Sequence, residues 1–216
     1  MKEPLSIETE RIDDIPLLIA HMQQMDLAGL LDKHFPVHGN RKGLSLGEVS
    51  MVWLSHLLSQ ADHRMNRVQA WATRRLDTLH GCGVGALDPK DLTDDRLADV
   101  LRTLSCGVHW QAFEQELMGQ LVRIYDLQAQ RVRIDTTTAS SYAEVDEQGL
   151  LQLGHSKDHR PDLPQLKVVL ASLDPLGMPL ATEVLSGEHA EDPVYLPIIA
   201  RVRKGLQQSG LLYVGD

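Results

Sequence analysis

The feature that most constrains this chain is a change of hydrophobic period near residue 130. Up to about Tyr125 the apolar residues recur every three or four positions. From Arg131 onward they alternate with polar ones, so helices must give way to strands. That order predicts an α+β protein, with an all-α domain over residues 1–130 followed by a mixed α/β sheet over residues 131–216.

In the first part, Ile15, Leu18, Ile19 and Met22 share one helical face, with Asp13 or Asp14 as the cap and Pro16 in the first turn. A short helix follows over about Leu27 to His34, ended by Pro36 and Gly39. Ser45, with Glu48 three residues on, is a capping box ahead of a stripe of Val49, Val52, Trp53, His56 and Leu57. One helix is predicted from Arg64 to Leu79, stopped by Gly81, Gly83 and Gly85. Thr93 opens the next, with Leu97, Val100, Leu101 and Leu104. The last runs from about His109 to Tyr125, so six helices are predicted in all. Arg64, Arg67, Arg74 and Arg75 fall on the 64–79 helix near a spacing that can track phosphates, although a solvated basic face has the same pattern.

Composition narrows the classes. The 216 residues are 43% hydrophobic and 24% charged, enough for a core and against wholesale disorder. No apolar run approaches the ~20 residues that span a bilayer, so no membrane partner is expected. Two cysteines, Cys82 and Cys106, are too few for a disulfide framework or a four-cysteine metal site, and a reducing cytoplasm is the expected location. The pairs His56 and His63, His80 and Cys82, and Cys106 and His109 complete no ligand set. The net charge of -9 opposes a generally DNA-binding surface, which only local basic clustering can answer.

In the second part, Arg131-Val132-Arg133-Ile134-Asp135-Thr136-Thr137-Thr138 reads as a strand that delivers a carboxylate near its end. Residues 139–165 form a long polar loop. Leu166 to Asp174 and Met178 to Ser186 read as a hairpin around Pro175-Leu176-Gly177, and about Asp192 to Gln208 as a helix with Leu196, Ile199, Val202 and Leu206 on its apolar face. Asp192 is read as that helix's cap, although with His189 it can instead line a site. Leu211 to Asp216 is the last strand, and a helical crossover places it parallel to an earlier one. Two strands each ending on a carboxylate can hold a divalent metal between them, because hard cations take oxygen ligands.

Three motifs in this order carry a resemblance: Ile134-Asp135-Thr136-Thr137, then His155-Ser156-Lys157-Asp158-His159-Arg160-Pro161-Asp162, then Val214-Gly215-Asp216. With Leu92-Thr93-Asp94-Asp95-Arg96-Leu97 upstream, the chain resembles insertion-sequence DDE transposases, which have a helical N-terminal domain of uncharacterised function and a ribonuclease-H-like core. The resemblance implies that Asp135 and Asp216 are catalytic, metal-ligating aspartates on adjacent strands. It further implies Mg²⁺, with Mn²⁺ as a substitute, and two-metal phosphoryl transfer on DNA. The implied partners are terminal inverted repeats and target DNA, handled by a homo-oligomer. Lys157, His159 and Arg160 sit in the loop expected to rise near the metals, where they either hold DNA phosphates or form a solvated cluster.

The family's third acidic residue, a Glu downstream of the fourth strand, has no counterpart in these residues. The fifth strand and the helices that cover the far side of the sheet in that family have no counterpart either, so the expected ribonuclease-H-like sheet is incomplete. The expected product is an N-terminal part of a transposase with little or no strand-transfer activity of its own, and the alternative is a non-catalytic DNA-binding remnant that competes or co-assembles with intact transposase.

Overall fold

A computed structural model describes residues 9–37, 43–85, 87–145, 149–157 and 159–215, and the fold is α+β. The expected helix end at Gly39 lies outside the described residues. Two compact units divide at Phe113/Glu114, earlier than the helix-to-strand switch that falls between Ile124 and Arg131.

The first unit contains α1 (Ile15–Gln24), α2 (Leu27–His34), α3 (Leu46–Gln60), α4 (Met65–Thr73), α5 (Leu76–Gly81), α6 (Asp94–Leu104) and the start of α7 (Gly107–Ile124), with a 3-10 turn over Pro89–Leu92. α3 is its centre. The capping box forms as expected: Glu48 N–H donates to Ser45 Oγ at 3.1 Å and Ser45 N–H to Glu48 at 2.9 Å. Asp32 accepts from Gly47 N–H at 2.7 Å, satisfying another of the first-turn donors. In place of a single stripe, α3 buries Leu46, Val49, Ser50, Met51, Val52, Trp53, Ser55 and His56, because neighbours pack on several of its sides. α1, α2, α4 and α6 all touch it. Phe35 closes one end against Trp110 and Phe113, at ring separations of 6.4 and 6.0 Å.

The expected 64–79 helix is two helices. The chain breaks at Arg74 and Arg75, where Arg75 leaves helical geometry (φ -141) and turns its side chain inward. Its guanidinium lies 5.2 Å from the Trp71 ring centroid and 3.2 Å from Asp13. A cation paired and stacked in the interior holds the break in place.

The second unit runs from Glu114. Its sheet has the order β3-β2-β1-β4, with β1 (Arg131–Ser140), β2 (Gln165–Leu173), β3 (Met178–Ser186) and β4 (Leu212–Gly215). β2 runs antiparallel to both β1 and β3, while β4 returns through α8 (Tyr195–Leu206) to lie parallel to β1, as the crossover requires. Between Ala171 and Ser172 the β2–β3 register shifts by one residue, so Leu180 and Ala181 are both buried.

One face of the sheet carries the core. Val132, Ile134, Val169, Ala171, Leu173 and Leu180 pack with Ile198 and Val202 of α8 and Met118 of α7. Leu196, expected on the buried face of α8, is 78% exposed. The buried face follows Val194, Ile198 and Val202 at the i, i+4 spacing, because a 3-10 turn over Asp192–Val194 comes before Tyr195. Asp192 opens that turn and does not cap α8, whose preceding residue is Val194. α7 reaches the same unit through Glu114, which accepts from Thr182 N–H at 2.7 Å and pairs with Arg201.

Candidate functional site

β1 alternates strictly: Val132, Ile134, Thr136 and Thr138 are buried, and Arg131, Arg133, Asp135 and Thr137 are exposed. Neighbouring strand residues point to opposite faces, so Asp135 stands on the open face of the sheet with both arginines in line. β1 runs on to Ser140, which puts Asp135 at mid-strand and not near the end. The parallel register with β4 runs from Arg131 opposite Leu212 to Ile134 opposite Gly215. Each of those last partners is the residue before an aspartate in the sequence, Asp135 on one strand and Asp216 on the other. Asp216 itself lies outside the described residues, as does Asp158 of the loop motif.

The Asp135 carboxylate accepts from Thr136 N–H at 2.8 Å through Oδ1, and it has no other partner among the described residues. A hard, exposed oxygen pair suits a divalent cation such as Mg²⁺. Among the described residues no group of three or more His, Cys, Asp or Glu side chains gathers around a metal-sized space.

The opposite face holds an ionic network that the motifs did not reveal. The Thr136 hydroxyl donates to Glu191 at 2.8 Å and accepts from the Lys157 ammonium at 2.8 Å, which also donates to Thr136 C=O at 2.6 Å. Lys157 and Lys167 each stand 3.6 Å from Glu191, one at each carboxylate oxygen. Lys167, only 6% exposed in its side chain, donates to His189 C=O at 2.7 Å. The Thr136 hydroxyl holds the Glu191 carboxyl below its usual range, and the two ammoniums add to that shift. One carboxylate thus joins β1, the loop carrying Lys157 and the segment before α8. Lys157, expected in a loop near the metals to hold DNA phosphates or join a solvated cluster, is engaged with Thr136 on the side away from Asp135.

In the same loop, His159 is exposed, with a left-handed backbone (φ 58). Arg160 forms a double hydrogen bond with Asp162 at 2.9 and 2.8 Å, which raises the guanidinium's pKa and lowers that of the carboxyl, with Tyr142 adding to the Arg160 shift.

Two glycines let these segments close. A Cβ on Gly187 would lie 2.2 Å from Gln165 C=O and 2.4 Å from Gln152 C=O, and one on Gly154 would lie 2.2 Å from Gly187 C=O. All of these obstructions are backbone atoms, which cannot swing aside. Gly187→Ala is expected to destabilise the second unit by about 2–3 kcal/mol through overpacking. A shift of the urea midpoint reads this directly, and a midpoint equal to wild type would refute the close approach.

The four arginines of the helical unit separate into kinds. Arg75 is buried and structural. Arg64 forms a double hydrogen bond with Asp62 at 2.8 and 2.7 Å, a contact that holds the Asp62 carboxyl well below its usual range. Arg67 and Arg74 are exposed, and neither side chain has an ion pair among the described residues. His56 stacks edge-on against Trp71 at 5.2 Å, and burial pushes its pKa down. Both cysteines are free, Cys106 exposed and Cys82 partly buried.

Among the described residues no helix is long and apolar enough to cross a membrane. A family model described as "Domain of unknown function (DUF4277)" matches residues 7–116, a span that covers most of the helical unit and ends three residues into the second. No curated protein and no solved structure matches the chain.

Proposed function

The chain belongs to the DUF4277 family, and we propose that its second unit serves DNA transposition, as part of an insertion-sequence transposase that cleaves DNA and joins the ends to a target by phosphoryl transfer. One observation carries this reading: the parallel β1–β4 register, which runs to the residue before each of the two aspartates. Asp135 and Asp216 are the carboxylates that would hold divalent metal. Bound there, Mg²⁺, or Mn²⁺ in its place, would supply the Lewis acidity to activate a water or 3′-hydroxyl and to stabilise the leaving oxygen.

The chain's own contribution is placement. The Thr136 N–H orients the Asp135 carboxylate, and the Glu191–Lys157–Lys167 network anchors Thr136 from the other side of the strand. Arg67, Arg74 and His159 are exposed and suited to backbone phosphates in the terminal repeats or the target. Arg64 and Arg160 are each held by a neighbouring aspartate through two guanidinium nitrogens.

The test is a cleavage and joining assay on DNA carrying the ends of the host element, using the full-length protein with Mg²⁺ or Mn²⁺, and with a chelator as control. Cutting that requires metal supports the proposal. Binding without cutting under every metal condition overturns it in favour of a DNA-binding protein without catalysis.

A further inference from the structure

β4 has few holds on the rest of the sheet. It is four residues long, lies at the sheet's edge and pairs only with β1, in the parallel arrangement that is slightly less stable per residue. Its start is tied by Leu212 N–H, which donates to Gln130 C=O at 3.0 Å. On the open face Leu212 and Val214 are exposed, so the packing that steadies its other end comes from the core face.

That packing falls at Gly215. Alternation puts Gly215 on the same face as Tyr213, which packs against the core. A Cβ on Gly215 would lie 2.6 and 3.4 Å from two ring carbons of Tyr195, and 3.5 Å from the C=O of Ile134, its partner on β1. The Tyr195 ring therefore occupies the space that a side chain would need, and it rests on the end of β4.

Tyr195 is itself well placed to act as a stop. It opens α8 directly after the 3-10 turn over Asp192–Val194, and it packs on the core with Val194, which is 6% exposed. At the start of the same segment, Glu191 accepts from the Thr136 hydroxyl of β1 at 2.8 Å. One short segment, 191–195, thus touches β1 at the residue after Asp135 and β4 at the residue before Asp216.

We infer that Tyr195 is a positioning residue: its ring, seated in the gap left by Gly215, fixes the end of β4 against β1 and so sets the spacing of the Asp135 and Asp216 carboxylates for divalent metal. The inference deepens the proposed function and rests on it. It also gives the glycine of Val214-Gly215-Asp216 a physical reason, because a side chain there displaces either the ring or the strand.

The experiment titrates the full-length protein with Mn²⁺ and follows the free ion by electron paramagnetic resonance, counting as the site the binding that Asp135→Asn removes. Replacing a group that orients metal ligands weakens binding roughly 10- to 100-fold, and that range is expected for Tyr195→Ala and for Gly215→Ala. Tyr195→Phe keeps the ring and should restore binding to within about twofold of wild type. In Gly215→Ala/Tyr195→Ala the methyl enters the space that the ring has left. The double variant should therefore bind no more weakly than Tyr195→Ala alone, whereas losses that multiply would mean that the two residues share no gap and would overturn the inference.

Affinity is measured on protein that circular dichroism shows to be folded, so a lower urea midpoint alone does not count for the inference. Wild-type Mn²⁺ affinity in folded Tyr195→Ala and Gly215→Ala overturns it and leaves the transposition reading untouched. Should Tyr195→Ala not fold, Gly215→Ala decides alone, because its change lies at an exposed strand end. If wild type shows no Mn²⁺ binding that depends on Asp135, the transposition reading falls and the positioning role falls with it.

Discussion

Asp135→Asn is expected to lower the rate of metal-dependent DNA cleavage by the full-length protein by roughly 10³-fold or more, while leaving stability within about 0.5 kcal/mol of wild type. The amide keeps an oxygen that can accept from Thr136 N–H, so the local geometry survives. It loses the negative charge that draws a divalent cation, and metal stabilisation of transition-state charge accounts for several kcal/mol, each 1.36 of which is about tenfold in rate. The side chain is exposed, which is why the fold should not notice the change. Initial rates and a urea titration on the same preparation separate the two effects. Cleavage that survives the substitution would remove Asp135 from the site. Loss of cleavage together with loss of stability would make its role structural.

Glu191→Ala is expected to cost the second unit about 2–4 kcal/mol. The substitution leaves Lys167, 6% exposed in its side chain, with a carbonyl for company and no counter-charge, and stranding a buried charge is among the more damaging single changes. The lower end of the usual range applies because Glu191 keeps 28% of its side chain exposed.

The pH dependence has a definite sign. The Glu191 carboxyl is held below its usual value near 4.5, first by the Thr136 hydroxyl and then by the two ammoniums. The unfolded chain therefore takes up the proton at higher pH than the folded one. The contribution is fully present above about pH 4.5 and is lost as pH falls through the depressed folded value. Glu191→Gln preserves an acceptor for Thr136 and removes the charge, so it should fall between wild type and Ala and lack that acid-sensitive part. Unfolding titrations at pH 7 and pH 4 measure both. A Glu191→Ala protein as stable as wild type at pH 7 would show that the network carries no net stabilisation.

Much of the fold was legible because its signals are local. The Ser45–Glu48 box, the period-two run through Asp135 and the hairpin around Gly177 each declare themselves within a few residues, and they form where expected. The β1–β4 pairing followed from the crossover rule. The 64–79 segment misled because helical spacing continues through Arg74 and Arg75, while the break depends on Trp71 and on Asp13, which lies 62 residues away from Arg75.

The site shows the same division. Asp135 stood out as a carboxylate in a strand, whereas Glu191 looked like one of several charges in a polar turn. Its partners Thr136, Lys157 and Lys167 come from three different segments, and no spacing in the chain announces that meeting. For the same reason Lys157 read as either a phosphate contact or part of a solvated cluster, when its ammonium is engaged with Thr136. Gly187 carried a signal that could have been weighed, a glycine directly after a strand, but the two carbonyls it approaches belong to residues 152 and 165.

The alternation of β1 has a consequence for how such a chain can vary. The strand carries two messages in opposite phase, Val132 and Ile134 for the interior and Arg131, Arg133 and Asp135 for the outside. Losing or gaining one residue ahead of Asp135 would exchange them, driving the carboxylate in among Ala171 and Val202 and turning Ile134 out to water. Only shifts by an even number keep both messages readable. The parity of this strand acts as a proofreading mark: a lineage can replace its side chains one at a time, but it cannot slide the chemistry along the strand by one residue without losing the protein that carries it.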